Sequence, residues 1–298
     1  MMNTNVQTLI NPQNGNLAFK QFSFEDNGHF DHIQRHNYYV LIWVKKGTGK
    51  LTADFNEYTF TENTLFAFAP YQPFMLTPGT GSEQSQLEGV AIYFHPEFFC
   101  IHKHHEEIAC NGVLYNNIYS PPFVTVDDTA AATLTMLVEQ IQVEMQQVAL
   151  AQYELLISYL KIFLITAARL KTAQKPFEKQ IESEQKEPFI LQQLKDAVEA
   201  NFRSKHSPSE YAEILFVSPK TLAKITKNHF NKTISSIINE RIIIEAKREL
   251  YLTNKTVKEI AYEMGYDDEY YFSRFFKVNA DVSPQLYRET VGFGRAMV

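Results

Sequence analysis

Cysteine is almost missing from this chain of 298 residues: there are two, Cys100 and Cys110. Two cysteines cannot build a disulfide framework and suit a reducing compartment, so a cytoplasmic protein is expected. Long hydrophobic runs are missing too. The most apolar helical stretch, LLISYLKIFLITAARL, is too short to cross a membrane and carries Lys161. The stretch MMNTNVQTLINPQNGNLAF has no basic region followed by an apolar core, so no signal peptide is expected. There is no glycine-rich phosphate loop, no G-x-S-x-G and no redox C-x-x-C, which removes the usual nucleotide, hydrolase and thiol signatures. Basic charge is not in excess either: 28 Lys and Arg stand against 34 Asp and Glu, a net charge of −6. Taken alone, that balance speaks against a nucleic-acid partner.

The length suggests two domains, and 45% hydrophobic residues is enough to build their cores. The charge is unevenly spread. From Pro188 to Val298 there are 16 Lys and Arg against 14 Asp and Glu, while the remainder carries 12 against 20. A basic face on the C-terminal part is therefore compatible with an acidic whole.

Residues 17–125 read as β structure. YYVLIWVKKGTGKLTADFNEYTF is rich in aromatic and β-branched residues and is broken at Gly47-Thr48-Gly49, a hairpin-type signal. Further short runs, NTLFAFAP and LEGVAIYFH, are separated by Pro and Gly clusters, as in a sandwich or barrel. From Asp127 to Lys171 there is no Gly or Pro, and apolar residues recur at helical spacing, which predicts two helices. The polar segment AQKPFEKQIESEQKE then has the composition of a linker.

The remainder is helical and contains an internal repeat. Ser207-Pro208-Ser209-Glu210 is a capping box, with a hydroxyl at the N-cap, Pro at the first helical position and Glu at the third. Thr256-Val257-Lys258-Glu259 repeats it 49 residues later, and Ala212 and Ala261 follow at the same offset. One extra residue then makes the offset 50. Leu222 matches Phe272, Lys224 matches Arg274, Lys227 matches Lys277 and Asn231 matches Asp281. Each unit reads as capped helix, tight turn, second helix: a helix-turn-helix. Asn231 and Asp281 stand where a left-handed residue ends a helix, a conformation these two types tolerate. A helix with no breaker joins the units.

Helical spacing puts Phe272, Phe275 and Phe276 on a buried face of the last second helix, with Leu222 and Ile225 inward in the first. Lys220, Thr221, Lys224 and Lys227 face outward in the first unit. In the second, the outward stripe is Glu269, Tyr270, Ser273, Arg274 and Lys277. Asp267 or Asp268 serves as the cap. Arg and Lys can pair with guanine edges or hold phosphates, and Glu can accept from cytosine. Charged helix faces are common solvated surfaces, and a helical protein-interaction module is the bland alternative. The matched repeat of caps, alanines and basic stripes favours DNA.

The segment KEIAYEMGYDDEYYFSRFFKVNADVSPQLYRE, Lys258–Glu289, resembles the signature of AraC-type transcription regulators, and ERIIIEAKREL resembles their connecting helix. The resemblance covers Pro188 to Glu289. It departs from the family at Asn231 and Asp281, where glycine is usual, and at Thr226, where an aromatic is usual. It implies an α+β chain of two domains. Residues 1–172 would form a cupin-like β-barrel with dimerisation helices, 173–187 a linker, and 188–298 an all-α double helix-turn-helix. It also implies a regulator that binds promoter or operator DNA as a homodimer, meets RNA polymerase if it activates, and responds to a small-molecule effector through the barrel. His36, Tyr39 and Trp43 are candidate pocket residues, with ordinary core as their competing reading. The dimer would form through the stripe from Leu155 to Phe163.

A metal-dependent cupin enzyme with a helical regulatory tail is the alternative. Such cupins present an H-x-H, a following acid and a later His, whereas His29, His32 and His36 have other spacings. His102, His104 and His105 lie near Cys110, but that spacing matches no standard zinc site. No metal, no cofactor and no enzymatic activity is expected.

Overall fold

A computed structural model of the chain describes residues 6–12, 14–25, 28–53, 56–79, 86–104, 112–146, 148–174 and 189–292. The expected linker from 175 on, His105 and Cys110 lie outside the described residues. The chain divides into two compact units. One takes the chain up to Asn117 and again from Pro121 to Gln174; the other takes Ile118–Ser120 and the remainder.

The first unit holds nine strands among the described residues: β1 (Gln7–Ile10), β2 (Leu17–Glu25), β3 (Tyr39–Lys46), β4 (Gly49–Ala53), β5 (Asn56–Phe60), β6 (Thr64–Phe68), β7 (Phe74–Pro78), β8 (Glu88–Phe94) and β9 (Phe123–Thr125). They form a six-stranded sheet in the order β1-β2-β8-β3-β6-β9 and a three-stranded sheet in the order β5-β4-β7. The apolar run of β3 reflects burial on both faces. Val40, Ile42 and Val44 turn toward the three-stranded sheet, into a core with Phe22, Phe60, Phe66, Phe68 and Phe74. Tyr39, Leu41 and Trp43 turn the other way, into a core shared with two helices. Phe68 and Phe74 stack with ring centroids 4.0 Å apart.

The glycine signal at Gly47 marks a corner, not a hairpin. β3 pairs with β6 and β8, while β4 pairs with β5 and β7. Gly47, at φ 97°, carries the chain from one sheet to the other.

The two helices are α1 (Asp128–Glu144) and α2 (Gln152–Ala173). Asp127 caps α1 by accepting a hydrogen bond from Ala130 N at 2.8 Å. Leu134, Leu137 and Ile141 of α1 and Leu156, Leu160 and Phe163 of α2 are buried against the six-stranded sheet. The stripe expected to dimerise therefore divides: Leu155 and Ile162 are exposed, whereas Leu160 and Phe163 are core. At the end of α2, Lys171 Nζ donates to Pro121 O and Phe123 O at 2.7 and 2.6 Å, and burial pulls its pKa down to about 8.

The second unit contains α3 (Phe189–Asn201), α4 (Pro208–Ile214), α5 (Pro219–Phe230), α6 (Ile234–Leu252), α7 (Val257–Glu263), α8 (Glu269–Ala280) and α9 (Pro284–Val291). The repeat is realised as two helix-turn-helix units, α4–α5 and α7–α8, joined by α6. Glu210 accepts from Ser207 N at 2.9 Å, and Glu259 from Thr256 N at 2.7 Å. These backbone bonds hold both carboxyls below their ordinary pKa.

The joining helix is anchored by charge. Glu245 is 5% exposed and meets Arg203 Nη2 at 2.8 Å, Arg241 Nη1 at 3.1 Å and Arg248 Nη1 at 2.8 Å. The Arg241 guanidinium also lies 4.0 Å from the Phe202 ring centroid and bonds Glu199 at 2.7 Å. Glu249 meets Lys255 at 2.7 Å, and Lys255 meets Glu263 at 2.7 Å. Arg288 of α9 donates to Leu250 O and Lys255 O. Burial alone would raise the Glu245 pKa, but the three guanidiniums outweigh it and hold the carboxyl below its ordinary value.

A depressed carboxylate contributes stability above its unfolded pKa, near 4.3, and that contribution is lost as pH falls through the folded value. Glu245→Gln should destabilise the chain by about 2 kcal/mol at neutral pH, less than a fully buried pair because Arg203 and Arg248 are half exposed. It should also flatten the loss of stability below about pH 4.3. Urea unfolding at several pH values measures both.

Candidate nucleic-acid interface

The two second helices begin and end alike. Ser218 Oγ accepts from Thr221 N at 3.1 Å and caps α5. Asp268 Oδ1 accepts from Tyr270 N at 2.7 Å and Tyr271 N at 3.2 Å and caps α8, so Asp268 is the cap and not Asp267. Both helices end in left-handed residues, Asn231 at φ 54° and Asp281 at φ 62°. Before each helix the same turn bond forms: Val217 N to Ala212 O at 3.0 Å, and Tyr266 N to Ala261 O at 2.9 Å.

On α5, Lys220, Thr221, Lys224 and Lys227 are exposed, as their spacing predicts. Leu222 is buried, but Thr226 shares the inner face, while Ile225 is half-buried. On α8, Tyr270 is 73% exposed, Arg274 and Lys277 are exposed, and Glu269 and Ser273 are half-buried. Phe272 and Phe276 form the inner face; Phe275 is half-buried, its ring 5.2 Å from Tyr266.

The cations of the two stripes differ from most of those elsewhere in the unit. Arg203, Lys205, Lys232, Arg241, Arg248 and Lys255 are all held by carboxylates. Among the described residues, Lys220, Lys224, Arg274 and Lys277 make no ion pair. Lys227 Nζ reaches only Asn231 O, at 3.4 Å. Unpaired cations thus gather on the outer faces of α5 and α8, where a polyanion can meet them without first breaking a salt bridge.

The three candidate effector residues do not converge. The His36 ring packs edge-on to Tyr93 at 5.1 Å, beside Phe74, and its Nε2 lies 3.0 Å from Gln34 Oε1. Burial, then Lys20 and His32, lower its pKa. Tyr39 and Trp43 project from the opposite face of the six-stranded sheet, toward α1 and α2. Trp43 lines an apolar seam with Leu41, Leu65, Val90, Ile92, Val138 and Phe163. Its indole N–H finds no acceptor among the described residues. The His104 ring stacks on Phe99 at 4.8 Å, and among the described residues no group of His, Cys, Asp or Glu converges to hold a metal.

Two family models match the chain. An AraC-like ligand binding domain covers residues 21–150, and a helix-turn-helix domain covers residues 211–290. The chain carries an AraC-like ligand-binding domain followed by an AraC-type helix-turn-helix domain. It is 24% identical over 248 residues to the transcriptional activator Btr of Bacillus subtilis, covering 82% of this chain and 43% of Btr. It is 22% identical over 275 residues to the uncharacterised regulator YfiF of the same organism, covering 86% and 78% of the two chains. To the activator RhaS of an Enterobacter strain it is 30% identical over 99 residues, 33% of this chain and 36% of RhaS. The chain thus spans less than half the length of Btr and of RhaS. Among solved structures, ToxT of Vibrio cholerae is 16% identical, with a TM-score of 0.39 over 92% of this chain and 98% of that one.

Sequence reasoning passed over Phe216. It occupies the turn position that Gly265 fills in the second unit, 49 residues on, and both are left-handed, at φ 54° and φ 79°. Gly265 has no alternative, since a Cβ there would stand 2.2 Å from Arg203 O. Phe216 is 95% exposed and buries nothing to offset its backbone strain. Phe216→Gly should therefore stabilise the chain by about 1 kcal/mol, and Gly265→Ala should destabilise it by more than that. Thermal unfolding of both variants tests the pair of signs.

Proposed function

We propose that this chain is a sequence-specific DNA-binding transcription regulator whose helical unit reads promoter or operator DNA with two helices. The observation that carries the proposal is the repeated, unpaired cationic stripe on α5 and α8. Lys220, Thr221 and Lys224 would face bases in one major groove. Glu269, Tyr270, Ser273 and Arg274 would face bases in the next, about 34 Å along the duplex. Lys227 and Lys277, at the basic ends of the stripes, would hold phosphates. The exposed Tyr262 and Tyr271 lie on the same repeat unit and add polar contact area.

The sheet-rich part, residues 1–172, is read as the sensor and dimerisation domain, 173–187 as linker, and 188–298 as the DNA-binding domain. The matched ligand-binding model supports a small-molecule effector there. His36 marks the aromatic side and Tyr39 and Trp43 the helix side as places for it. The outer faces of α1 and α2 expose Met136, Val143, Leu155 and Ile162, which suits a homodimer of two copies. Relatives named as activators support RNA polymerase as a further partner. Among the described residues no helix is long and apolar enough to cross a membrane, and the reading places the protein in the cytoplasm. No enzymatic activity is proposed.

The test begins with selection of an operator from random DNA, with and without cell extract as a source of effector. On that operator Arg274→Ala should cost about 1–3 kcal/mol and relax preference at one base position. Unchanged specificity would remove Arg274 as a base reader. Affinity of the unmodified protein should drop by roughly a thousandfold between about 50 and about 200 mM salt, through counterion release. A flat salt response would remove DNA as the partner. Introducing Lys at Leu155 and Ile162 together should convert dimer to monomer in sedimentation equilibrium while the melting temperature changes little.

A further inference from the structure

The two helix-turn-helix units also diverge at the C-terminal end of the second helix. At an offset of 50, Phe230, Lys232 and Glu240 of the first unit stand where the second has Ala280, Val282 and Thr290. Ala280 is fully buried within its own unit. Phe230, the last residue of α5, instead packs on Tyr119, with ring centroids 5.6 Å apart. Lys195 Nζ lies 5.6 Å from the Tyr119 centroid and 5.9 Å from that of Phe230. Lys232 is 7% exposed; its Nζ donates to Ile118 O at 3.2 Å and meets Glu240 Oε2 at 2.6 Å. Burial, then Glu199 beside it, pushes the Tyr119 phenol above its ordinary pKa.

The helical unit is thus not made of one stretch of sequence. Ile118–Ser120, three residues whose chain neighbours on both sides belong to the sheet unit, form part of it. A buried ammonium is stable only with its hydrogen bonds made. Lys232 donates one to Glu240 and one to the Ile118 carbonyl. A ring pair such as Tyr119–Phe230 adds packing at the end of α5.

We propose that Tyr119 and Ile118 are positioning residues for the first reading helix: they complete the end of α5 and hold it in its reading orientation, while α8 needs no such supplement. The role rests on the DNA-binding reading of α5 and α8.

The test uses the full chain with Tyr119→Ala and Tyr119→Phe. Amide hydrogen exchange is followed at Asn228–Asn231 and at Val278–Asp281. Tyr119→Ala should speed exchange at the end of α5 by about tenfold, the upper range for loss of an aromatic pair, and leave the end of α8 unchanged. Tyr119→Phe should restore the slow exchange. On a selected operator, the half-site lost in Lys224→Ala should weaken by a similar factor in Tyr119→Ala, while the half-site lost in Arg274→Ala keeps its protection. Unchanged exchange at α5, equal weakening of both half-sites, or faster exchange with both half-sites intact would each overturn the proposal. If the unmodified chain protects no DNA, the DNA-binding reading fails by itself, and the exchange arm still decides whether Tyr119 positions α5.

Discussion

The helical unit depends on a carboxylate that cannot be left alone. Glu245 sits on α6, the helix that joins the two helix-turn-helix units, and is removed from water. A carboxylate in that position costs several kcal/mol unless its oxygens are met. Three guanidiniums meet them, and they come from two places: Arg241 and Arg248 from α6 itself, Arg203 from the segment after α3. The same cations reach onward, Arg241 to Glu199 and Phe202. A helix of 19 residues is a rod of about 28 Å, comparable with the repeat of successive major grooves. Fixing the rotation of that rod fixes which way α5 and α8 look.

The repeat is one design executed with unequal fillings. At the inner face of α8, Phe272 and Phe276 fill the space to α7 and α9. At the matching positions of α5 the side chains are Leu222 and Thr226, and the Thr226 hydroxyl turns back to Ala223 O at 3.2 Å. That buries less apolar area and a hydroxyl besides, and it tends to bend a helix. The first unit also carries the strained Phe216, where the second has glycine. By packing and by backbone, α8 is the more fully supported helix of the pair and α5 the less. An added contact therefore has more to supply at α5, which is where Tyr119 stands.

Much of the helical unit was legible in sequence because its signals are local. Caps, turn alanines and left-handed helix ends are written within three or four residues, and the structure has the caps at Ser207, Thr256 and Asp268 and the left-handed ends at Asn231 and Asp281. The choice between Asp267 and Asp268 needed the backbone. The sheet unit was legible as strands but not as connections: Gly47 announces a change of direction, and nothing local says whether the next strand pairs or crosses to another sheet. The trio His36, Tyr39 and Trp43 looked close along the chain. A strand's period of two puts Tyr39 and Trp43 together on one face, and His36, before the strand begins, follows a different path to the aromatic face. The tripeptide at Tyr119 was illegible for a simpler reason: its partners stand more than seventy residues away, and no spacing rule connects them.

The acidity of the whole chain then ceases to be an objection to a polyanion partner. What a phosphate backbone meets is the set of charges left over after internal pairing, not the net count. In the helical unit the acids are largely spent on structure. Glu210 and Glu259 close capping boxes, Asp268 caps α8, and Glu199, Glu240, Glu245, Glu249 and Glu263 hold cations within the unit. Each of these pairings also removes a cation from the surface supply. Among the described residues, the cations left without an ion pair include Lys220, Lys224 and Lys227 on α5 and Arg274 and Lys277 on α8, on two units joined by α6. Glu269, the one acid inside a reading stripe, lies in the first turn of α8, where the helix dipole favours it and where an acceptor can face an exocyclic amine. On the proposed reading, this arrangement would keep attraction for DNA local and periodic on a protein of net negative charge, and binding would depend on both helices being presented together.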